Sequence, residues 1–300
     1  MKKVSVRKKA DWFPVLLISP TVLLLLGLSV YPTIKSFSYS FMNYQRRDLS
    51  SQGFIGLENF IEIFTDDKLF FSSLWNSFKW VGSEVVLQLV LGLIFALILN
   101  KKFRGRGVAR TVCFAPWAIS GVLTTMLWIL IYNENIGLLN NVLGMMGLEQ
   151  YEMSWLANKS TVFKSIILSE LWRGIPFFAI NMLAALQGIP GDIYESAKVD
   201  GAGSWKIFWK ITLPYLKETI IFATLMRCIW EFQSIDMILT MTNGGPNRQT
   251  TTLPIYMYQK AMIEGDYGYG SALAVCSFLI LSIFAIVYLK LNHFGKGIEE

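Results

Sequence analysis

The chain has 300 residues, of which 53% are hydrophobic and only 16% charged, and its mean hydropathy is +0.45. So much apolar side chain with so little charge is not the composition of a water-soluble domain, and a bilayer is the expected solvent. The net charge of +6 does not point to nucleic acid, because the basic residues lie beside apolar runs, where membrane topology accounts for them.

Runs of about 20 apolar residues predict membrane-crossing helices. Six are present, from Phe13 to Tyr31, Ser77 to Leu99, Thr111 to Tyr132, Val162 to Leu186, Thr219 to Leu239 and Ala272 to Leu289. The runs lack the period-two alternation of barrel strands, so the expected fold is an all-α integral membrane bundle forming one domain over residues 1–300. Lys2, Lys3, Arg7, Lys8 and Lys9 precede the first run, which is too long for a signal peptide and has no cleavage site after it, so it is expected to stay as the first helix. The loop from Pro32 to Asn76 follows, with a short surface helix over Gly56 to Phe64. Placing both termini in the cytoplasm puts 16 basic residues inside against seven outside, the arrangement that the positive-inside rule favours.

Ionisable residues at membrane depth are costly and are candidate functional residues. The second run carries Trp80, Glu84 and Gln88 at i+4 spacing, an aromatic face beside a carboxylate and an amide, which suits either a sugar ring or an interfacial anchor. The fourth carries Glu170, Arg173, Phe177 and Asn181 within about 80° of one face. The fifth carries Arg227, Glu231 and Ser234. These stripes are expected to face inward, as a substrate pathway or as structural ion pairs. Cys113, Cys228 and Cys276 lie inside apolar runs and read as small core residues. His293 is the only histidine, so neither a metal site nor histidine catalysis is expected.

The inner loop over residues 187–218 mixes charged with large apolar residues. Pro190 and Gly191 end the preceding helix, and Asp192 is the expected N-cap of a short helix through Val199. Gly201 and Gly203 allow a sharp turn, and Ser204 is the expected cap of a second helix that runs until Pro214. Trp205, Phe208 and Trp209 share one face of that second helix. Such a knob suits docking to a partner or, with Lys198, Lys206, Lys210 and Lys217, the surface of the inner leaflet.

Glu195, Ala197, Gly201, Ile211, Leu213 and Pro214 match the pattern E-A-A, three residues, G, nine residues, I-x-L-P, with Ser196 replacing the middle alanine. This resembles the EAA loop of importer permeases of the ATP-binding-cassette class. Asp200 to Ala202, the segment Leu239 to Thr251 with Gly244, Gly245 and Pro246, and G-Y-G-S-A-L-A at the sixth run resemble the sugar branch, the maltose- and glycerol-phosphate-type permeases. The resemblance implies a non-catalytic permease subunit in the cell membrane, forming half of a sugar pathway. It implies that Glu195, Ser196, Ala197, Asp200, Gly201, Trp205, Phe208, Trp209, Ile211, Leu213 and Pro214 couple it to an ATPase. The implied partners are a second permease subunit in a heterodimer, two ATP-binding-cassette ATPase subunits and an extracytoplasmic sugar-binding protein. No cofactor is expected on this chain, since Gly295-Lys296 lacks the rest of a P-loop, and ATP with magnesium belongs on the partner ATPases. The alternative is an ion-gradient-driven secondary transporter using Glu84, Glu170 and Glu231, although paired broken helices in two related halves are not evident.

Overall fold

The computed structural model describes residues 12–46, 48, 50 and 52–292. The sequence-based readings of the N-terminal basic tail, His293 and Gly295-Lys296 lie outside the described residues. The described residues fall into two compact units, one of those from Trp12 to Asp66 with Lys260–Val275, the other of Asp67–Gln259 with those from Cys276 to Asn292.

In the first unit, α1 runs over Phe13–Tyr39, and its most apolar stretch is wholly unburied by the chain itself. Pro32 has no N–H and its ring crowds the preceding turn, and the helix widens to a π turn over Leu26–Val30 immediately before it. Strands β1 (Met42–Asn43) and β2 (Gly53–Phe54) pair antiparallel, with Met42 opposite Phe54. The helix expected at Gly56 to Phe64 forms as α2, Glu58–Thr65. Its buried Asn59 donates to the carbonyls of Ser40 at 3.0 Å and Met42 at 3.1 Å, joining α2 to the hairpin. Tyr267 closes the unit by donating its backbone N–H to the Tyr44 carbonyl at 2.9 Å.

The second unit opens with α3, Lys68–Asn100, whose first turn is capped by the Asp67 carboxylate accepting from the N–H groups of Leu69 at 2.8 Å and Phe70 at 3.1 Å. The helix starts well before the expected Ser77, because Phe70, Ser73 and Asn76 already form a buried face. The run expected from Thr111 to Tyr132 is broken. Helix α4, Arg106–Ala118, meets α5, Gly121–Ile131, at 97°. Pro116 withholds an N–H from the last turn of α4, and Ile119 and Ser120 are extended.

Helices α6 (Leu138–Met145), α7 (Val162–Gln187), α8 (Gly191–Val199) and α9 (Ser204–Ile207) follow. A π turn over Phe208–Thr212 leads into α10, Leu213–Gln233. The run expected to Leu239 stops there, since Ser234 is extended, and α11 restarts at Asp236–Thr242. Helices α12 (Leu253–Tyr258) and α13 (Tyr267–Leu291) complete the order.

Helices α3 and α7 cross in close contact. A Cβ at Gly92 would lie 2.5 Å from the Phe178 Cβ and 3.0 Å from the Ala179 backbone nitrogen, so only glycine permits this approach. Around the crossing, Val85, Ala96, Leu99, Phe178, Met182, Leu183 and, from α10, Leu216 form the core. Val86, Val90 and Ile94 on the other side of α3 are exposed, the inside-out distribution of a lipid-facing surface. Among the described residues, four helices (α1, α3, α7 and α13) are long and apolar enough to cross a membrane, and five if the bent pair α4–α5 counts as one span. Helix α10 carries Lys217, Glu218, Arg227 and Glu231, which explains why its composition falls short of that standard.

Candidate functional site

The polar stripes of α3, α7 and α10 converge. Trp80, Glu84, Gln88, Glu170, Arg227 and Glu231 are all buried. Glu170 is the hub: Arg173 reaches it through Nε at 3.0 Å and Nη2 at 2.8 Å, and Arg227 Nη2 reaches the same Oε1 at 3.0 Å. Arg227 also pairs with Glu231 Oε1 at 2.6 Å and donates Nε–H to Gln88 Oε1 at 2.7 Å. The Gln88 amide donates to Glu84 Oε2 at 2.9 Å and Glu231 Oε1 at 3.3 Å, and the Trp80 indole donates to Glu231 Oε2 at 3.0 Å. Two carboxylates, Glu170 and Glu231, thus share two guanidinium groups, while Glu84 is held by the Gln88 amide and its Oε1 takes no hydrogen bond.

Gly174 makes this meeting possible. A Cβ there would overlap the Gln88 amide and lie 2.5 Å from Arg227 Nη2. Phe177 sits at the edge of the network, its ring centroid 5.9 Å from the Arg227 guanidinium carbon. Asn181 instead donates to the Phe177 carbonyl of its own helix at 2.7 Å, and Ser234 ends α10 with its N–H on the Glu231 carbonyl. The sequence stripes therefore resolve into seven interlocked residues, one neighbour and two that join no part of the network through these bonds.

The second candidate region is the helical pair α8 and α9. Helix α8 ends with Ala202 N–H on the Ala197 carbonyl at 2.9 Å and Gly201 N–H on the Lys198 carbonyl at 3.0 Å, with Gly201 at φ +74°, the left-handed close that glycine accepts without strain. Asp192 lies in the first turn of α8 rather than at its cap, a position held by Pro190, and favours the helix through its charge. Ser204 is the first residue of α9, with extended Gly203 before it. Pro214 does not end the helix. The π turn places it at the start of α10, where its missing N–H is no loss, so α9 runs on into α10.

Trp205 is 75% exposed and Trp209 half-exposed, their ring centroids 5.6 Å apart, and Phe208 packs 5.3 Å from Trp209. Glu195, Ser196, Asp200 and Pro214 are exposed, while Ala197, Ile211 and Leu213 are part-buried. A hydrogen bond of 3.3 Å between the Tyr194 and Thr212 hydroxyls ties the two helices together.

Residues 88–297 match the family described as the binding-protein-dependent transport system inner membrane component. The chain belongs to this family. The inner-membrane component is 35% identical over 285 residues to the trehalose/maltose transport system permease protein MalF of Thermococcus litoralis, covering 94% of each chain. It is likewise 35% identical over 277 residues to the sulfoquinovosyl glycerol transport system permease protein SmoG of Agrobacterium fabrum, covering 92% of this chain and 89% of that one. Its fold matches a chain of the crystal structure of a bacterial alginate ABC transporter in complex with alginate pentasaccharide-bound periplasmic protein, with TM-score 0.82, 22% identity and coverage of 96% and 97%. Nothing in this company supports an ion-gradient-driven carrier.

Sequence reasoning singled out the segment Leu239 to Thr251 as a resemblance without assigning its residues a structural role, and it missed Asn76 and Asn140. In the loop after α11, Gly244 has φ +85°, and a Cβ there would lie 2.5 Å from Thr251 Oγ1. The Thr250 hydroxyl donates to the Gly245 carbonyl at 2.8 Å, and Asn76 of α3 donates to the Thr251 carbonyl at 3.0 Å. Buried Asn140 joins two further loops by donating to the carbonyls of Glu134 at 3.0 Å and Met153 at 3.1 Å. Isolated asparagines and threonines carry no periodic signal. Gly174, adjacent to Arg173 on a polar stripe, was a signal available in the sequence.

Proposed function

We propose that the chain is the permease subunit of an ATP-driven, binding-protein-dependent sugar importer. The observation that carries this reading is the exposed knob of α8 and α9, a charged and aromatic surface on a chain otherwise built for lipid, at the positions of the EAA pattern. Glu195, Ser196, Ala197, Asp200, Gly201, Trp205, Phe208, Trp209, Ile211, Leu213 and Pro214 form the coupling surface over residues 187–218. A buried aromatic anchor edged by a charge-assisted bond transmits force without slipping. The sugar class is supported by the names of the trehalose/maltose and sulfoquinovosyl glycerol relatives.

In this reading α10 is the sixth span, its Arg227 and Glu231 made tolerable by the partners that α3 and α7 supply. Both termini are cytoplasmic, as the basic residues favour. The chain acts as one permease domain in a heterodimer with a second permease subunit, on two ATPase subunits that hold ATP and magnesium, and receives sugar from an extracytoplasmic binding protein. It binds no cofactor itself. The interlocked residues Trp80, Glu84, Gln88, Glu170, Arg173, Arg227 and Glu231 keep three helices in register, while Phe177, Asn181 and Ser234, which are part-exposed, face the pathway.

The test is ATP hydrolysis by the reconstituted complex with and without loaded binding protein, comparing Glu195→Ala plus Gly201→Asp with the unmodified chain. Loss of stimulated hydrolysis and of ATPase-subunit binding, with the permease still folded, is the expected result. Unchanged stimulation and assembly would overturn the coupling assignment.

A further inference from the structure

A cavity of about 530 Å³ opens between the end of α5, the loop before α7 and the turn after α11. Its volume is that of a site for a small organic ligand. One wall is the turn Asn133–Asn135, the second Ser154 to Ala157, and the third Thr242 with Gly245 and Pro246.

Each wall is fixed from behind. The Asn133 side-chain oxygen accepts the N–H groups of Asn135 and Ile136, both at 3.0 Å, which commits its oxygen to the turn. Asn140 binds the first wall to the second through the Glu134 and Met153 carbonyls, and its own oxygen accepts the Trp155 indole N–H at 2.7 Å. The third wall is held by the Thr250 hydroxyl on the Gly245 carbonyl and by a 2.8 Å bond between the Thr242 and Thr250 hydroxyls. A cavity whose supports are all internal hydrogen bonds keeps its shape when empty, so a ligand does not have to order it.

The chemistry of the lining is that of a carbohydrate site. The Asn133 side-chain NH2 as donor, the Asn135 amide, the Glu134 carboxylate and the Ser154 hydroxyl offer donors and acceptors, and Tyr132, Leu156 and Pro246 offer apolar surface for the C–H faces of a pyranose. Glu134 is the only acidic lining residue and no lysine or arginine accompanies it, so a neutral, hydroxyl-rich ligand fits better than an anion. None of the interlocked residues of α3, α7 and α10 lines the cavity, although its Tyr132 and Met241 share a buried apolar cluster with Trp80.

We propose that this cavity is an outer vestibule that holds a neutral mono- or disaccharide between its release from the binding protein and its passage along the helices. The proposal rests on the importer reading and adds a sugar site to it.

The test uses the full complex in proteoliposomes with loaded binding protein, with radiolabelled glucose, maltose and trehalose as probes. Ser154→Trp and Ala157→Trp fill the cavity from part-buried and exposed positions without removing any bond that supports its walls. Glu134→Ala removes one contact and retains the Glu134 carbonyl that Asn140 uses. Both tryptophan variants are expected to lower uptake roughly tenfold, and Glu134→Ala to raise the half-saturating sugar concentration, while stimulated ATP hydrolysis stays within about twofold. Uptake that survives both tryptophan variants overturns the vestibule. Parallel loss of uptake and stimulated hydrolysis also overturns it, because the face would then dock the binding protein. Failure of the unmodified complex to take up any of the three sugars sinks the sugar reading itself, and the vestibule with it.

Discussion

A single methyl group at Gly174 is expected to separate three helices. Its Cβ would overlap the Gln88 amide and stand 2.5 Å from Arg227 Nη2, so Arg227 must retreat by about 1 Å to reach ordinary van der Waals contact. Its bonds to Gln88 at 2.7 Å and Glu170 at 3.0 Å then stretch past useful length. Overpacking costs about 1–3 kcal/mol, and losing a hydrogen bond to a charged group costs about 1.5–3 kcal/mol, so Gly174→Ala is expected to destabilise the permease by roughly 3–5 kcal/mol. Gly82→Ala on α3 is the matched control. No atom lies within 4 Å of its Cβ, and replacing a mid-helix glycine is expected to stabilise by about 0.5–1 kcal/mol. Equilibrium unfolding of the two variants in the same detergent or bilayer decides. Equal stability, or a Gly174→Ala protein as stable as the unmodified chain, would refute the close-approach reasoning.

Three further outcomes are expected. Arg227→Ala leaves Glu170 and Glu231 short of a buried cation and should cost about 3–5 kcal/mol in the same unfolding assay. Trp80→Phe keeps an aromatic ring at the site but strips Glu231 Oε2 of its donor, which should cost about 1–3 kcal/mol beyond the lost packing of the second ring, and a double-mutant cycle with Glu231→Gln should show the coupling. Trp205→Ala, on an exposed ridge, should leave stability within about 0.5 kcal/mol. The same variant should weaken ATPase-subunit binding by about 2 kcal/mol or more, measured by co-purification or titration of the partner.

The sequence made the stripes of the buried network legible, because Trp80, Glu84 and Gln88 recur at helical spacing and so do Glu170, Arg173 and Phe177. Their convergence was not legible. It depends on where α3, α7 and α10 cross, which glycine contacts set and periodicity does not record. Gly201 was readable as a turn because a helix close needs a residue that tolerates positive φ, whereas Pro214 misled. Proline usually stops a helix, and here a π turn accommodates it. The 97° bend between α4 and α5 was missed for the opposite reason, since an unbroken apolar run hides the extended pair Ile119 and Ser120. Asn140 and the threonines after Gly244 act through single long-range bonds, which leave no local pattern.

The shared hydrogen bonds of Arg227 and Glu231 also constrain how the protein is made. Alone in hydrocarbon, those two side chains would cost α10 about 5–7 kcal/mol at about 2.5–3.5 each, enough to hinder its stable insertion. Their partners Gln88 and Glu170 lie earlier in the chain, on helices apolar enough to enter the bilayer unaided. Synthesis from the N-terminus therefore delivers the acceptors for Arg227 and the donors for Glu231 before the helix that needs them, and the order of residues along the gene doubles as an order of assembly in the membrane.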